Sequence, residues 1–225
     1  NTLFNNETAD HNVAVGYDAV FYNTTGADNI GVGHQALYNN TTASNNTAVG
    51  KNALYANTTA NGNTAVGKKA SSSNTTGSLN TSLGEEAFFT NTTGSNNTAL
   101  GRAALYANTT ASNNTAVGYL ALVANTTGSS NNSFGVESMM TNTTGNQNCA
   151  FGRQSLKTNN GSYNNGFGHQ TLELNTTGTQ NQAFGLNSLF ANTTGSYNCA
   201  FGHAALTANT TADYNTAVGD QCLGS

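Results

Sequence analysis

Proline and tryptophan are absent from this chain and charge is scarce: 7% of its 225 residues are Asp, Glu, Lys or Arg. A formal net charge of −4 offers no basic field, which argues against nucleic acid as a partner. No apolar run is long enough to span a bilayer and no signal peptide is recognisable, so membrane insertion by this segment is not expected. Gly, Asn and Thr dominate instead. Low-complexity sequence can look like this, yet here apolar residues recur at fixed positions, and that regularity argues against disorder.

The regularity is a repeat. Asn12, Asn29, Asn46, Asn63, Asn80, Asn97, Asn114, Asn131 and Asn148 stand 17 residues apart; one residue is then lost near 159–161, and the series resumes at Asn164, Asn181, Asn198 and Asn215. A unit of this size marks a solenoid and is too short for two helices with their turns. The array reads as a single domain, 1–225, of about 13 rungs. It begins and ends in mid-repeat without a polar cap, so a segment of a longer fibre, or ends covered by neighbouring subunits, is expected.

The residue before each rung's Gly is apolar throughout, as at Val15, Val49, Leu83, Phe134 and Phe201. Four residues after the Gly stands Leu37, Leu54, Phe88, Leu105 or an equivalent, with Ser71 the one polar exception. Both positions are expected to face a core that only stacked rungs can close. The expected rung is a short Thr-Ala-Val strand, with Thr47 and Val49 on one face and Ala48 on the other. A Gly turn, a second short strand around Ala-Leu-Tyr and an Asn-Thr-Thr loop complete it. A helix at Ala-Leu-Tyr-Ala is disfavoured, four residues being scarcely one turn. The expected fold is therefore all-β, a parallel β-solenoid about 60 Å long at roughly 4.8 Å per rung, its hand left open. The change from Val or Leu to Phe between Phe134 and Phe201 is expected to widen the core.

Asn46, Asn63, Asn97 and Asn114 open their rungs, and Asn57 and Asn108 belong to a second column in the Asn-Thr-Thr loops. Both columns are expected to be structural ladders of amides bonded from rung to rung. Cys149 and Cys199 lie three rungs apart, roughly 14 Å, too far for a disulfide, and read as core fillers. Cys222 sits in the last partial rung, and disulfides are not expected to hold the fold.

Constellations that carry chemistry are missing from the sequence. His11, His34, His169 and His203 have no partner at metal-ligand spacing. Glu85 and Glu86 lack a base, a nucleophile and a pocket; Lys51 and Lys68 stacked with Glu85 on successive rungs read as a solvated charge ladder. The glycines show neither a phosphate-loop pattern nor the calcium-binding nonapeptide. No enzyme activity, cofactor or metal is expected. The Asn-Thr-Thr triplets match the N-glycosylation acceptor pattern, although the repeat explains them without a sugar.

Two columns could carry binding. Phe21, Tyr38, Tyr55, Phe89, Tyr106 and Phe190 each follow the inward Leu position, so they are expected to point outward as a subunit interface or a sugar-stacking surface, with the interface favoured. Thr25, Thr42, Thr59, Thr76 and their equivalents through Thr211 form a second column that resembles the Thr faces of ice-binding β-helices. Adjacent Thr residues on a strand point to opposite faces, so ice binding is the alternative rather than the first reading.

Asn63-Thr64-Ala65-Val66-Gly67 and Asn114-Thr115-Ala116-Val117-Gly118 resemble the head repeats of trimeric autotransporter adhesins. The longer unit from Ala104 to Gly118 is similar to arrays in bacterial surface proteins and phage tail fibres. The resemblance covers essentially the whole chain. It implies a left-handed parallel β-roll, three chains around one axis, an extracellular, cell-surface or virion location, and attachment to a host or cell-surface receptor, possibly a glycan. Self-association as a homotrimer or filament is the partner expectation that goes with it. The extra Asn-Thr-Thr loop departs from the adhesin repeat.

Overall fold

The computed structural model describes residues 2–224. It is all-β, with no helix among the described residues and hence none long and apolar enough to cross a membrane. The chain forms two compact units, one up to Asn113 and one from Asn114. The first contains β1 (Val13–Val15), β2 (Ile30–Val32), β3 (Thr47–Val49), β4 (Thr64–Val66), β5 (Thr81–Leu83) and β6 (Thr98–Leu100). The second contains β7 (Thr115–Val117), β8 (Asn132–Phe134), β9 (Cys149–Phe151), β10 (Asn165–Phe167), β11 (Gln182–Phe184), β12 (Cys199–Phe201) and β13 (Thr216–Val218). Within each unit every strand pairs in parallel with its sequence neighbour, like residue on like residue, as in Thr47 on Thr64, Ala48 on Ala65 and Val49 on Val66. Each unit is thus a parallel β-solenoid with one rung per repeat.

Two expectations about the rung need correction. Only one short strand forms; the expected second strand at Ala-Leu-Tyr is a run of turns, because Asn52 (φ 58°) and Leu54 (φ 49°) both take the left-handed conformation. Alternate left-handed residues coil the chain tightly enough to bury the adjacent pair Ala53 and Leu54 together, which an extended strand could not do. A left-handed non-glycine residue costs about 1–3 kcal/mol, and burying a Leu returns about 2 kcal/mol. With two such residues the corner is a net cost by itself, and contacts between rungs must supply its stability.

The second correction concerns the apolar residue before each Gly. It faces outward: Val15, Leu83 and Val218 are 57%, 49% and 70% exposed. The inward residue of each strand is the small one between, Ala48, Ala65, Ser82 or Ala99, fully buried. The core is accordingly narrow, built from Ala columns and one Leu column. The Phe residues from Phe134 to Phe201 stack on its outside and do not widen it; Phe151 and Phe201 are about two-fifths exposed.

Departures inside the core are compensated locally. Ser71 replaces Leu but its hydroxyl meets that of Ser82, also buried, at 2.8 Å, and Phe88 one rung on supplies the large buried side chain. The Gly closing each strand is fixed by its backbone: Gly50 has φ 134°, and a Cβ there would lie 2.5 Å from the carbonyl oxygen of Gly67.

The two Asn columns hold the rungs together. Asn57 donates from Nδ2 to Asn40 Oδ1 in the preceding rung (3.0 Å) and to its own corner carbonyl at Ala60 (3.1 Å); Asn108 repeats this with Asn91 and Ala111. In the other column the backbone N–H of Asn63 donates to Asn46 Oδ1 at 2.9 Å, while Asn97 bonds Asn80 in the same way and gives its Nδ2 to Ala111. Asn114 likewise donates to Gly128. The corner carbonyl of Ala111 thus receives one amide from each ladder. Buried amides left unpaired would each cost about 1–3 kcal/mol, so the same chemistry must recur in every rung.

The missing residue falls in the loop of one rung, where Asn159-Asn160-Gly161 replaces Asn-Thr-Thr-Gly. Asn160 Oδ1 stands in for the lost backbone carbonyl, accepting from Thr143 N and Oγ1 at 2.7 and 2.8 Å. The repair is incomplete. Among the described residues the Asn159 side-chain amide donates only to Gly161, and Asn142 Oδ1 is left buried without a partner.

Candidate functional site

Among the residues expected to form a surface column, Phe21, Tyr38 and Tyr55 stack in succession, with ring centroids 5.5 and 5.2 Å apart. Phe4 extends that stack at 5.1 Å from Phe21. Phe89 and Tyr106 form a separate pair at 5.1 Å, because Ser72 interrupts the column between Tyr55 and Phe89. Phe190, in the second unit, has no ring neighbour among the described residues and does not join a column. All six predicted rings are half-buried.

Sequence reasoning missed a second column as a surface feature. Phe134, Phe151, Phe167, Phe184 and Phe201 stack on the outer face of β8 to β12, with centroid separations of 4.4, 5.1, 4.8 and 4.5 Å. The parallel registry of the strands imposes this spacing, since neighbouring strands lie about 4.8 Å apart. The recurring Phe is visible in the sequence, but its apolar, periodic position points to the core, whereas the strand turns that face to the outside. Cys149 and Cys199 flank this column on the same outer face, half-buried rather than core fillers, and burial pushes the Cys149 thiol up. Cys222 is also a free, half-buried thiol.

Stacking determines what these columns can offer. A ring between two parallel rings has both faces covered, so the stripe presents ring edges to its surroundings. A sugar binds an aromatic side chain through the ring face, whereas an apolar stripe of edges suits packing against another protein surface. Tyr22 is the exception. It meets Phe21 and Tyr38 at 4.9 and 5.1 Å with planes 80° and 81° from theirs. The hydrogen bond with Tyr22, helped by burial, pushes the Tyr38 phenol up to about 12.

Polar surface groups form short ladders. Lys68 bonds Glu85 at 2.9 Å and Arg102 approaches the same carboxylate at 3.8 Å, while Lys69 meets Glu86 at 3.5 Å. The hydrogen bond from Lys68, reinforced by its charge, lowers the Glu85 carboxyl and raises the Lys68 ammonium. His34 stacks on Tyr17, His169 lies 3.3 Å from Arg153, and His11 and His203 face Asp28 and Asp220. Among the described residues no group of three His, Cys, Asp or Glu could hold a metal.

The Thr residues divide by position. Thr24, Thr41, Thr58 and Thr75 spend their hydroxyl hydrogens on the matching Thr carbonyl of the next rung, while Thr25, Thr42, Thr59 and Thr76 are exposed. The Asn of each of these Asn-Thr-Thr triplets is fully buried with both Nδ2 hydrogens donated, as at Asn40, Asn57, Asn74 and Asn91. A glycan on these amides is incompatible with the folded rung.

Comparison with known proteins finds no matching family profile, no similar curated protein and no similar solved structure.

Proposed function

We propose that this chain is a structural and adhesive fibre segment, working outside the cell or on a virion as part of a homotrimer that presents a binding surface rather than a catalytic one. The observation that carries this reading is the pair of stacked ring columns, Phe21-Tyr38-Tyr55 and Phe134 through Phe201, held at the surface by a scaffold whose buried polar groups bond rung to rung. Contiguous apolar stripes of ring edges suit burial against another chain. Light scattering on a size-exclusion column tests the assembly. About three times the 23.1 kDa chain mass is expected, and a monomer would contradict the trimer. Changing Tyr38, Tyr55 and Tyr106 to Ser should weaken assembly or surface attachment; a triple variant unchanged in both removes their role.

The exposed column from Thr25 through Thr76 supports a second reading, ice binding. Thermal hysteresis and ice shaping are its readouts, and the absence of both would remove it.

A further inference from the structure

An open groove of about 550 Å³ runs along the first unit, within the range of small-ligand sites. Its lining includes Asn5, Glu7, Tyr22, Thr24, Asn39 and Thr41. Two of these break the repeat. Tyr22 stands where the other rungs of this unit have Asn5, Asn39, Ala56, Ser73, Thr90 and Ala107, and Glu7 stands where the others have Thr. Both departures line the same groove.

Tyr22 is placed differently from every stacked ring. Phe21 and Tyr38 lie face to face, so they have only edges to offer, and Tyr22 touches both at nearly a right angle. It therefore lays one ring face across their edges and turns the other away, and contact with both rings holds that orientation. Tyr22 is 43% exposed. A pre-oriented free ring face is a platform for an apolar ligand face.

The surrounding polar groups define the ligand further. The Thr24 and Thr41 hydroxyls have donated their hydrogens to Thr41 and Thr58 carbonyls, leaving acceptor lone pairs. The Glu7 carboxylate and the Asn39 side-chain amide have no partner among the described residues. The groove thus supplies many acceptors, one free amide, an exposed ring face and no cation. A ligand that fits has several hydroxyl donors and a flat C–H face, and carries no negative charge.

We propose that this groove binds an uncharged oligosaccharide, with one sugar ring stacked on Tyr22 and its hydroxyls bonded to Glu7 and Asn39. The proposal rests on the attachment reading and gives it a ligand class.

The test is an array of neutral oligosaccharides built from glucose, galactose, mannose and N-acetylhexosamines, with sialylated, sulfated and amine-bearing probes beside them. At least one neutral probe should bind the whole chain. Tyr22→Ala should weaken it about tenfold or more, Asn39→Ala less, and Tyr22→Phe should retain most of it. Circular dichroism of Tyr22→Ala checks that the solenoid persists, and Tyr22→Phe keeps the test decisive if it does not. Binding confined to charged probes, binding indifferent to Tyr22, or no binding at all overturns the proposal. Cell attachment that survives Tyr22→Ala overturns the groove while leaving the fibre reading in place. Tyr22-dependent array binding by a chain that attaches to no cell upholds the groove and removes the fibre reading.

Discussion

The two units share one scaffold and decorate it differently. In the first, rings stack beside the corner, from Phe21 to Tyr55 and from Phe89 to Tyr106; in the second they stack on the strand face, from Phe134 to Phe201. The buried Asn columns and the corner Leu column are largely shared, whereas the corner Ala beside that Leu, as at Ala36, Ala53 and Ala104, gives way within the second unit to buried Ser138, Ser155, Thr171 and Ser188. Outward columns are therefore free to change, because the period is kept by residues that never reach the surface. Parallel registry then stacks whatever rings those columns carry.

If the buried amides keep the period in both units, removing one should be the most damaging change. Asn91→Ala in the first unit deletes bonds to Asn74 and Gly94 and removes the acceptor of one Asn108 Nδ2 hydrogen, the other staying on Ala111; Asn192→Ala in the second deletes those to Asn175 and Gly195. Each should lose about 4 kcal/mol by denaturant unfolding. A loss in one unit without the other would mean that buried amides keep the period in only one of them.

A smaller effect is expected at Ser82, which the first unit uses to satisfy Ser71. Ser82→Ala should cost about 2 kcal/mol by leaving a buried hydroxyl unpaired. Adding Ser71→Ala should recover part of that loss, measured as a double-mutant cycle. The second unit carries the opposite opportunity. Replacing Asn160 with Thr-Thr restores the common loop length and gives Asn142 Oδ1 its missing partner, and should stabilise by about 1 kcal/mol.

The smallest effect is a titration confined to the first unit. Tyr38 is pushed up to about 12 from 10.0, so its neutral form is favoured by folding. That contribution is complete below the ordinary value and is lost as pH rises through the folded one. Ultraviolet titration of the phenolate should show the raised midpoint, and Tyr22→Phe should bring it down. The Glu85 carboxyl shifts the other way, so its small contribution is present at neutral pH and fades in acid as the folded midpoint is crossed.

The repeat, the all-β class, the stacked parallel rungs and both Asn ladders were legible because each depends on spacing, and spacing is written in the sequence. The faces were harder to read. Val49 and Leu54 are both apolar and both periodic, and hydropathy assigns both inward. Only the left-handed backbone at Asn52 and Leu54 turns Ala53 and Leu54 into the core together and leaves Val49 outside, and nothing in Ala-Leu-Tyr announces that conformation. The same error moved the Phe column and Cys149 inward. At the candidate surface, the rings from Phe21 to Tyr55 were legible as a column, whereas the role of Tyr22 depends on a ring plane that no sequence pattern encodes.

The strand residue before each Gly lies outside and the corner Leu lies inside, and two leucines of the first unit separate these positions. Leu83 is 49% exposed and Leu105 is fully buried. In thermal melts, Leu83→Ser should stay within about 3 °C of the parent chain, while Leu105→Ser should lose about 4 kcal/mol and melt far lower. Equal losses at the two positions would mean that both leucines face the core.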